Sequence, residues 1–357
     1  MHRLLSFIFF AFLFGSSARA QRIIDTTTID FGRYRGALLT ISEMHGVRAS
    51  NLVYFHFLQK LAAHCGPGDT INLFLETPYS LAWMHNEYLR NGAYSELHND
   101  SSLVPMIRRA GLPVRIFGCD FEYDRGGNRA MGYQIFLGEA ARRLTVLGVD
   151  AGLLGAYADR LRKDSVWQQP EGRKSLIQAL RKQHAATTNA EAKTLLREAL
   201  FVLTAVQHFH RHRDPVLYRR ILEASEAGLL HPRGRYNLLV HGGTHLEPHW
   251  KGSLFHYLDT RKASPFRNQT YLIVQAYLDC HSTGDYFHPN ADLTSSNVPF
   301  AHYGKQRDAF LDWMRGHIAN GMEPNTILAV RRIDYPIPAL QAHANKVLLW
   351  YVLNRCR

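Results

Sequence analysis

Short apolar runs and helix-period segments alternate along the first third of the chain. Ala37–Ser42 is an apolar run bounded by Gly36 and reads as a buried strand. Ser50 then reads as a helix cap, and Leu52, Phe55, Leu58 and Ala62 recur on one helical face until Gly66-Pro67-Gly68 stops it. Ile71–Leu75 is a second strand. Pro78 opens the next helix, with Leu81, Trp83, Met84 and Tyr88 inward, and Asn91-Gly92 closes it. A short helix near Leu103–Ala110 precedes a third strand, Val114–Cys119. Strands alternating with helices predict a parallel sheet with helical crossovers. From about residue 130 to 230 the strand signal stops. Four or five helices fill that stretch, one from about Ala190 to His210 with Leu196, Ala199, Leu203 and Val206 on one face. Tyr236–Val240 and Thr270–Ala276 return to β character, Thr326–Val330 reads as one more strand, and Pro338–Leu353 as a closing amphipathic helix. The fold class is therefore α/β: a mostly parallel central sheet flanked by helices, with an all-helical insertion at about residues 130–230.

The first twenty residues stand outside that pattern. Arg3 precedes an apolar run from Leu4 to Phe14, and Ala18-Arg19-Ala20 supplies a small-residue cleavage signal before Gln21. This reads as a secretory signal peptide over 1–20, with one α/β domain over 21–357. The run is shorter than the about 20 residues a membrane-spanning helix needs. The expectation is an exported protein, periplasmic or extracellular, with no integral membrane segment once the signal is removed. Composition narrows the classes. At 46% hydrophobic and 20% charged, the 357-residue chain is globular in character rather than disordered. Four cysteines are too few for a disulfide scaffold, and Cys119 reads as a buried thiol within a strand. The formal charge of +12 falls to +10 when Arg3 and Arg19 leave with the signal. Its basic residues are scattered and carry no nucleic-acid motif, so nucleic acid is not expected as a partner.

The 20 histidines are the unusual count, because imidazole both binds metals and titrates near neutral pH. In an open parallel sheet, ligands bind beyond the carboxyl ends of the strands. Those ends are Ser42-Glu43-Met44-His45-Gly46, Glu76-Thr77-Pro78, Asp120-Phe121-Glu122 and His241-Gly242-Gly243-Thr244-His245. Taken singly, Glu43 or Glu76 reads equally well as a cap for the following helix. Asp120 reads also as a turn residue and His241 as a satisfied core histidine. His45 and His245 stand beside small or glycine-rich turns, where backbone approaches a ligand closely, and read as a functional pair. His208 and His212 share a helical face, but without the acidic residue of a zincin motif they read as a basic helix end.

Ser42-Glu43-Met44-His45-Gly46, Phe74-Leu75-Glu76 with Tyr88-Leu89 downstream, Phe117-Gly118-Cys119-Asp120, Arg213-Asp214 and Leu238–His245 occur in the order of motifs in the erythromycin esterase-like superfamily. The chain resembles that superfamily, which includes haem-binding ChaN-like proteins, from about Ala37 to Glu247. The single residue between Glu43 and His45 is closer to the ChaN form, Ser42 replaces the usual glycine, and Gly243 replaces the usual asparagine. Gly242-x-x-His245 is also similar to the TraB/Tiki metallopeptidase signature, although the matching first Gly-x-x-His is absent.

The resemblance implies a hydrolase of ester or related acyl bonds. His45 would be the first choice for general base toward water, oriented by Glu43 or Glu76, with His245 and Arg213 polarising the carbonyl; the sequence does not assign base and electrophile between the two histidines. Asp120 and His241 would line the substrate site. No Gly-x-Ser-x-Gly elbow is present, so no serine nucleophile is expected. The expected chemistry uses no cofactor and no metal. Two alternatives remain: a ChaN-like haem- or iron-binding exported protein, and a TraB/Tiki-like metal-dependent hydrolase. The leader makes the first prediction. Expressed in a secreting host, the mature protein is expected to begin at Gln21 by intact-mass and N-terminal sequencing; a product retaining Met1–Ala20 would contradict it.

Overall fold

The structure is a computed structural model that describes residues 22–25, 28–43, 47–98, 102–122, 127–163, 172–205, 213–230, 235–248, 250–278, 280–282, 291–293, 312, 316, 326–330 and 346–355. Its strands are β1 (Arg22–Asp25), β2 (Leu38–Glu43), β3 (Ile71–Pro78), β4 (Val114–Asp120), β5 (Tyr236–Gly242), β6 (Thr270–Leu278), β7 (Cys280–Ser282), β8 (Ala291–Leu293), β9 (Thr326–Val330) and β10 (Val347–Arg355). Its helices are α1 (Arg48–Ala62), α2 (Tyr79–Asn91), α3 (Leu103–Arg109), α4 (Gly127–Val146), α5 (Gly152–Lys163), α6 (Arg173–Ala186), α7 (Ala190–Thr204), α8 (Arg213–Glu226) and α9 (Leu254–Thr260). Eight strands form one sheet in the order β1-β9-β10-β6-β2-β5-β3-β4. From β10 to β4 every neighbouring pair is parallel; the β9–β10 pair is antiparallel. This is the expected α/β class, with α4–α8 as the helical segment between β4 and β5. Among the described residues, no helix is long and apolar enough to cross a membrane.

Alternation along the strands divides the interior into two clusters, because successive side chains point to opposite faces. Leu39, Ile41, Leu73, Ile116, Leu238 and Val240 pack with Phe57, Leu58 and Leu61 of α1 and Ile107 of α3. Leu38, Phe74, Phe117, Cys119 and Leu239 pack on the opposite face with Phe136, Tyr157, Leu196, Val202, Leu217 and Ile221 of the helical segment. Cys119 is a buried free thiol, its Sγ directed at the Leu75 carbonyl at 3.2 Å.

Local features depart from the sequence reading in two places. Ser50 is not the cap of α1. Val47 occupies that position, and Ser50 Oγ instead lies 2.8 Å from the Tyr277 hydroxyl, joining α1 to β6. The closing helix expected over Pro338–Leu353 is replaced from Val347 onward by β10, while 331–345 lie outside the described residues. Val-Leu-Leu-Trp-Tyr-Val-Leu is apolar at every position and rich in residues that favour strands. Such a run carries no periodicity that separates helix from strand. Pairing with β6 on one side and β9 on the other then decides the matter by satisfying its backbone groups.

Gly118 permits the close approach of β4 to β3 where the register shifts between Leu75 and Pro78. A Cβ there would stand 2.2 Å from the Pro78 carbonyl oxygen and 2.6 Å from that of Thr77. Those atoms are backbone and cannot swing aside. Gly118→Ala is expected to cost about 3 kcal/mol, the upper range of overpacking, seen as a lowered urea midpoint. An unchanged midpoint would show that the bulge is not constrained.

Candidate functional site

The parallel register brings the carboxyl ends of β2, β5, β3 and β4 to one edge. Ser42 pairs with His241 and Glu43 with Gly242; Leu75 pairs with Val240, which sets Glu76 level with His241. Paired residues of parallel strands share a face, so Glu76 and His241 point to the side of the helical segment. Glu43 lies on the α1 side, where its carboxylate accepts a 3.1 Å hydrogen bond from the Tyr54 hydroxyl.

Arg213, in the first turn of α8, reaches this edge and joins two buried carboxylates. Its Nη1 is 2.5 Å from Glu76 Oε1. Its Nε donates to Asp120 Oδ1 at 3.2 Å, and its Nη2 donates to Asp120 Oδ2. The planar guanidinium suits this role, since it presents several donors in a fixed fork. Glu76 Oε2 accepts the Gly242 backbone N–H at 2.9 Å, and Asp120 Oδ1 also accepts that of Phe121 at 2.8 Å. Both carboxylates are thus held by several directed donors.

The residue after Arg213 completes a second pair. Asp214 Oδ1 meets His245 Nδ1, and Asp214 is 4% exposed while the His245 side chain keeps 19% of its surface. His245 sits on the single turn Gly243–Leu246 that follows β5. Its ring stands edge-on to that of His241, with centroids 4.6 Å apart. His241 is fully buried, and its Nδ1 is 2.9 Å from Glu76 Oε2. Burial pulls the His241 imidazole below its ordinary value, opposed by the Glu76 carboxylate.

Glu76, Asp120, Arg213, His241 and His245 therefore come together, with Asp214 as an added member. Glu43 ends the adjacent strand on the other face. His45 lies outside the described residues, as do His208 and His212. Asp214 is not among the site residues that the sequence indicates. The available signal was its position beside Arg213, but only the docking of α8 against the β5 turn shows that it meets His245. Glu122, also at the end of β4, serves a different purpose. Its oxygens accept the Ser80 backbone N–H at 3.0 Å and the Ser80 hydroxyl at 2.6 Å, capping α2, whose own cap position is Pro78.

No protein-family model matches the chain, and no curated protein matches it in sequence. Solved structures do resemble it in fold. An erythromycin esterase, EreC, carrying a histidine-to-asparagine substitution and seen in its open conformation, is similar with a TM-score of 0.50 at 12% identity, over 81% of this chain and 82% of that one. A Bacillus cereus protein gives 0.45 at 13% identity, covering 74% and 72%. A succinoglycan biosynthesis protein gives 0.43 at 12%, covering 70% and 69%. At these identities, the likeness to the esterase is one of fold.

Glu122 generates a pH prediction. Burial pushes its carboxyl up to about 7, against the lowering effect of Ser80 and Arg220. A folded value above the ordinary 4.5 means a stability contribution that is full below that pH and is lost as pH rises through about 7. Glu122→Gln removes this titration. Urea midpoints measured at about pH 5 and about pH 8 are expected to fall less in the variant than in the wild type; equal falls would contradict it.

Proposed function

We propose that the protein is an exported hydrolase of ester or related acyl bonds, acting on a small-molecule substrate. The observation that carries this reading is the Asp214–His245 pair standing beside the Glu76–Arg213–Asp120 network at the strand ends. An imidazole fixed at one nitrogen by a carboxylate has its ring orientation and tautomer set, with the other nitrogen left for a reacting group. A guanidinium locked by two carboxylates is a preorganised cation for charge that develops on a carbonyl oxygen. The likeness to an erythromycin esterase supports the same direction at the level of fold.

In the proposed reaction His45 takes a proton from water as the water oxygen bonds to the acyl carbon. Glu43 or Glu76 orients that histidine, and the oxyanion is stabilised by Arg213 together with His245 as the doubly protonated imidazolium, whose Nδ1–H donates to Asp214 and whose Nε2–H donates to the oxyanion. Collapse breaks the acyl carbon–oxygen bond, and the protonated imidazole returns its proton to the departing alkoxide. Asp120 holds Arg213, and His241 supports Glu76 behind the reacting groups. These steps need no cofactor, because a histidine base alone contributes about 10²–10⁴-fold.

The test is hydrolysis of a panel of esters, lactones and amides by the mature protein. His45→Ala, His245→Ala and Arg213→Ala are each expected to lower kcat by about 10²–10⁴-fold. Asp214→Asn is expected to lower kcat through His245 while leaving KM nearly unchanged. Equal turnover by the wild type, His45→Ala and His245→Ala would remove the assignment.

A further inference from the structure

We propose that Glu76, His241 and His245 form a binding site for one divalent transition-metal ion of the zinc class. Two imidazoles and one carboxylate make a donor set that zinc enzymes use, leaving a further position open. One candidate ligand atom from each of the three residues lies within 4.8 Å of the others.

His241 is the independent observation that points to a ligand. It is fully buried, and among the described residues neither ring nitrogen has a hydrogen-bond partner. An orphaned buried polar atom of this kind costs about 1–3 kcal/mol. Its Nδ1 is nevertheless 2.9 Å from Glu76 Oε2. The two atoms are close without being aligned as donor and acceptor. Ligands on a common ion have a related arrangement: at about 2.1 Å from a tetrahedral metal, neighbouring donors stand about 3.4 Å apart, roughly half an ångström beyond the present contact, and direct their lone pairs at the ion, not at each other.

The surroundings supply the outer shell that metal ligands require. Metal-bound histidines commonly give their second nitrogen to a carboxylate, and ligating carboxylates are themselves hydrogen-bonded. His245 Nδ1 is engaged by Asp214, so Nε2 is the nitrogen left for an ion. Glu76 is held through Oε1 by Arg213 and through Oε2 by the Gly242 N–H. Glu76 and His241 stand on adjacent strands, so their spacing is set by the sheet. His245 is the least buried of the three. The inference does not rest on the hydrolytic reading, which uses imidazole to activate water.

The experiment uses the mature protein stripped with chelator, then titrated with Zn²⁺ by calorimetry and with Co²⁺ by visible d–d absorption. One ion per chain is expected. His241→Ala, His245→Ala and Glu76→Gln should each weaken binding by more than about 100-fold, beyond the 10- to 100-fold loss typical of outer-shell changes. His85→Ala is the control: that residue lies on α2 with its ring 5.0 Å from His98, and its loss should leave zinc affinity unchanged. Circular dichroism checks folding; if the buried variants fail to fold, the partly exposed His245→Ala decides alone. Absence of zinc binding, or zinc binding that survives His245→Ala, overturns the proposal. Metal content is the readout, so failure of ester hydrolysis leaves the result intact, and failure of zinc binding leaves the hydrolytic reading intact.

Discussion

Two carboxylates buried at the ends of β3 and β4 set the terms for everything near them. An ionised carboxylate out of water costs several kcal/mol unless a counter-charge and directed hydrogen bonds compensate it. Arg213 supplies that charge to Glu76 and Asp120 together. The arginine comes from α8, the last helix of the long helical segment, so the ion pairs also fix where that segment meets the sheet. Breaking such a group by removing one partner costs about 3–5 kcal/mol, because the other charge stays buried.

Placement of the remaining site groups follows from this anchor. With Arg213 held at the strand ends, the next residue in the same helical turn, Asp214, faces the turn that carries His245. An acidic residue in the first turn of a helix is itself favourable against the helix dipole. The same turn thus delivers a cation to the carboxylates and a carboxylate to an imidazole. Gly242, by donating its backbone N–H to Glu76, fixes the start of the His245 turn from the other side.

Strand alternation sorts the polar residues that a linear reading groups together. Ser42 and His241 share one face, Glu43 and Gly242 the other. One step along a strand reverses the side on which a side chain emerges. Glu43 is accordingly supported by Tyr54 from α1, while Glu76 and His241 meet the groups brought by α8. His241 combines full burial with polar neighbours. It is as buried as any leucine beside it, yet its ring lies between Glu76 and His245.

The sequence by itself determined the α/β class, the central strands and the extent of the helical segment. Those features depend on local apolar runs and on glycine and proline at their ends, which act over a few residues. It also marked the strand ends as chemically loaded, since Glu76, Asp120 and His241 follow apolar runs directly and His245 lies in the glycine-rich turn after the last of them. The C-terminal strand was not legible, because Val347–Val352 is apolar throughout and only pairing with β6 and β9 distinguishes strand from helix. Nor was the Asp214–His245 pair, whose members are 31 positions apart. Tertiary structure alone decided that pair, the double engagement of Arg213 and the separation of Glu43 from Glu76 by face. Each depends on the register between strands and the docking of α8, and those are set by packing over long chain separations, where no local pattern records the outcome.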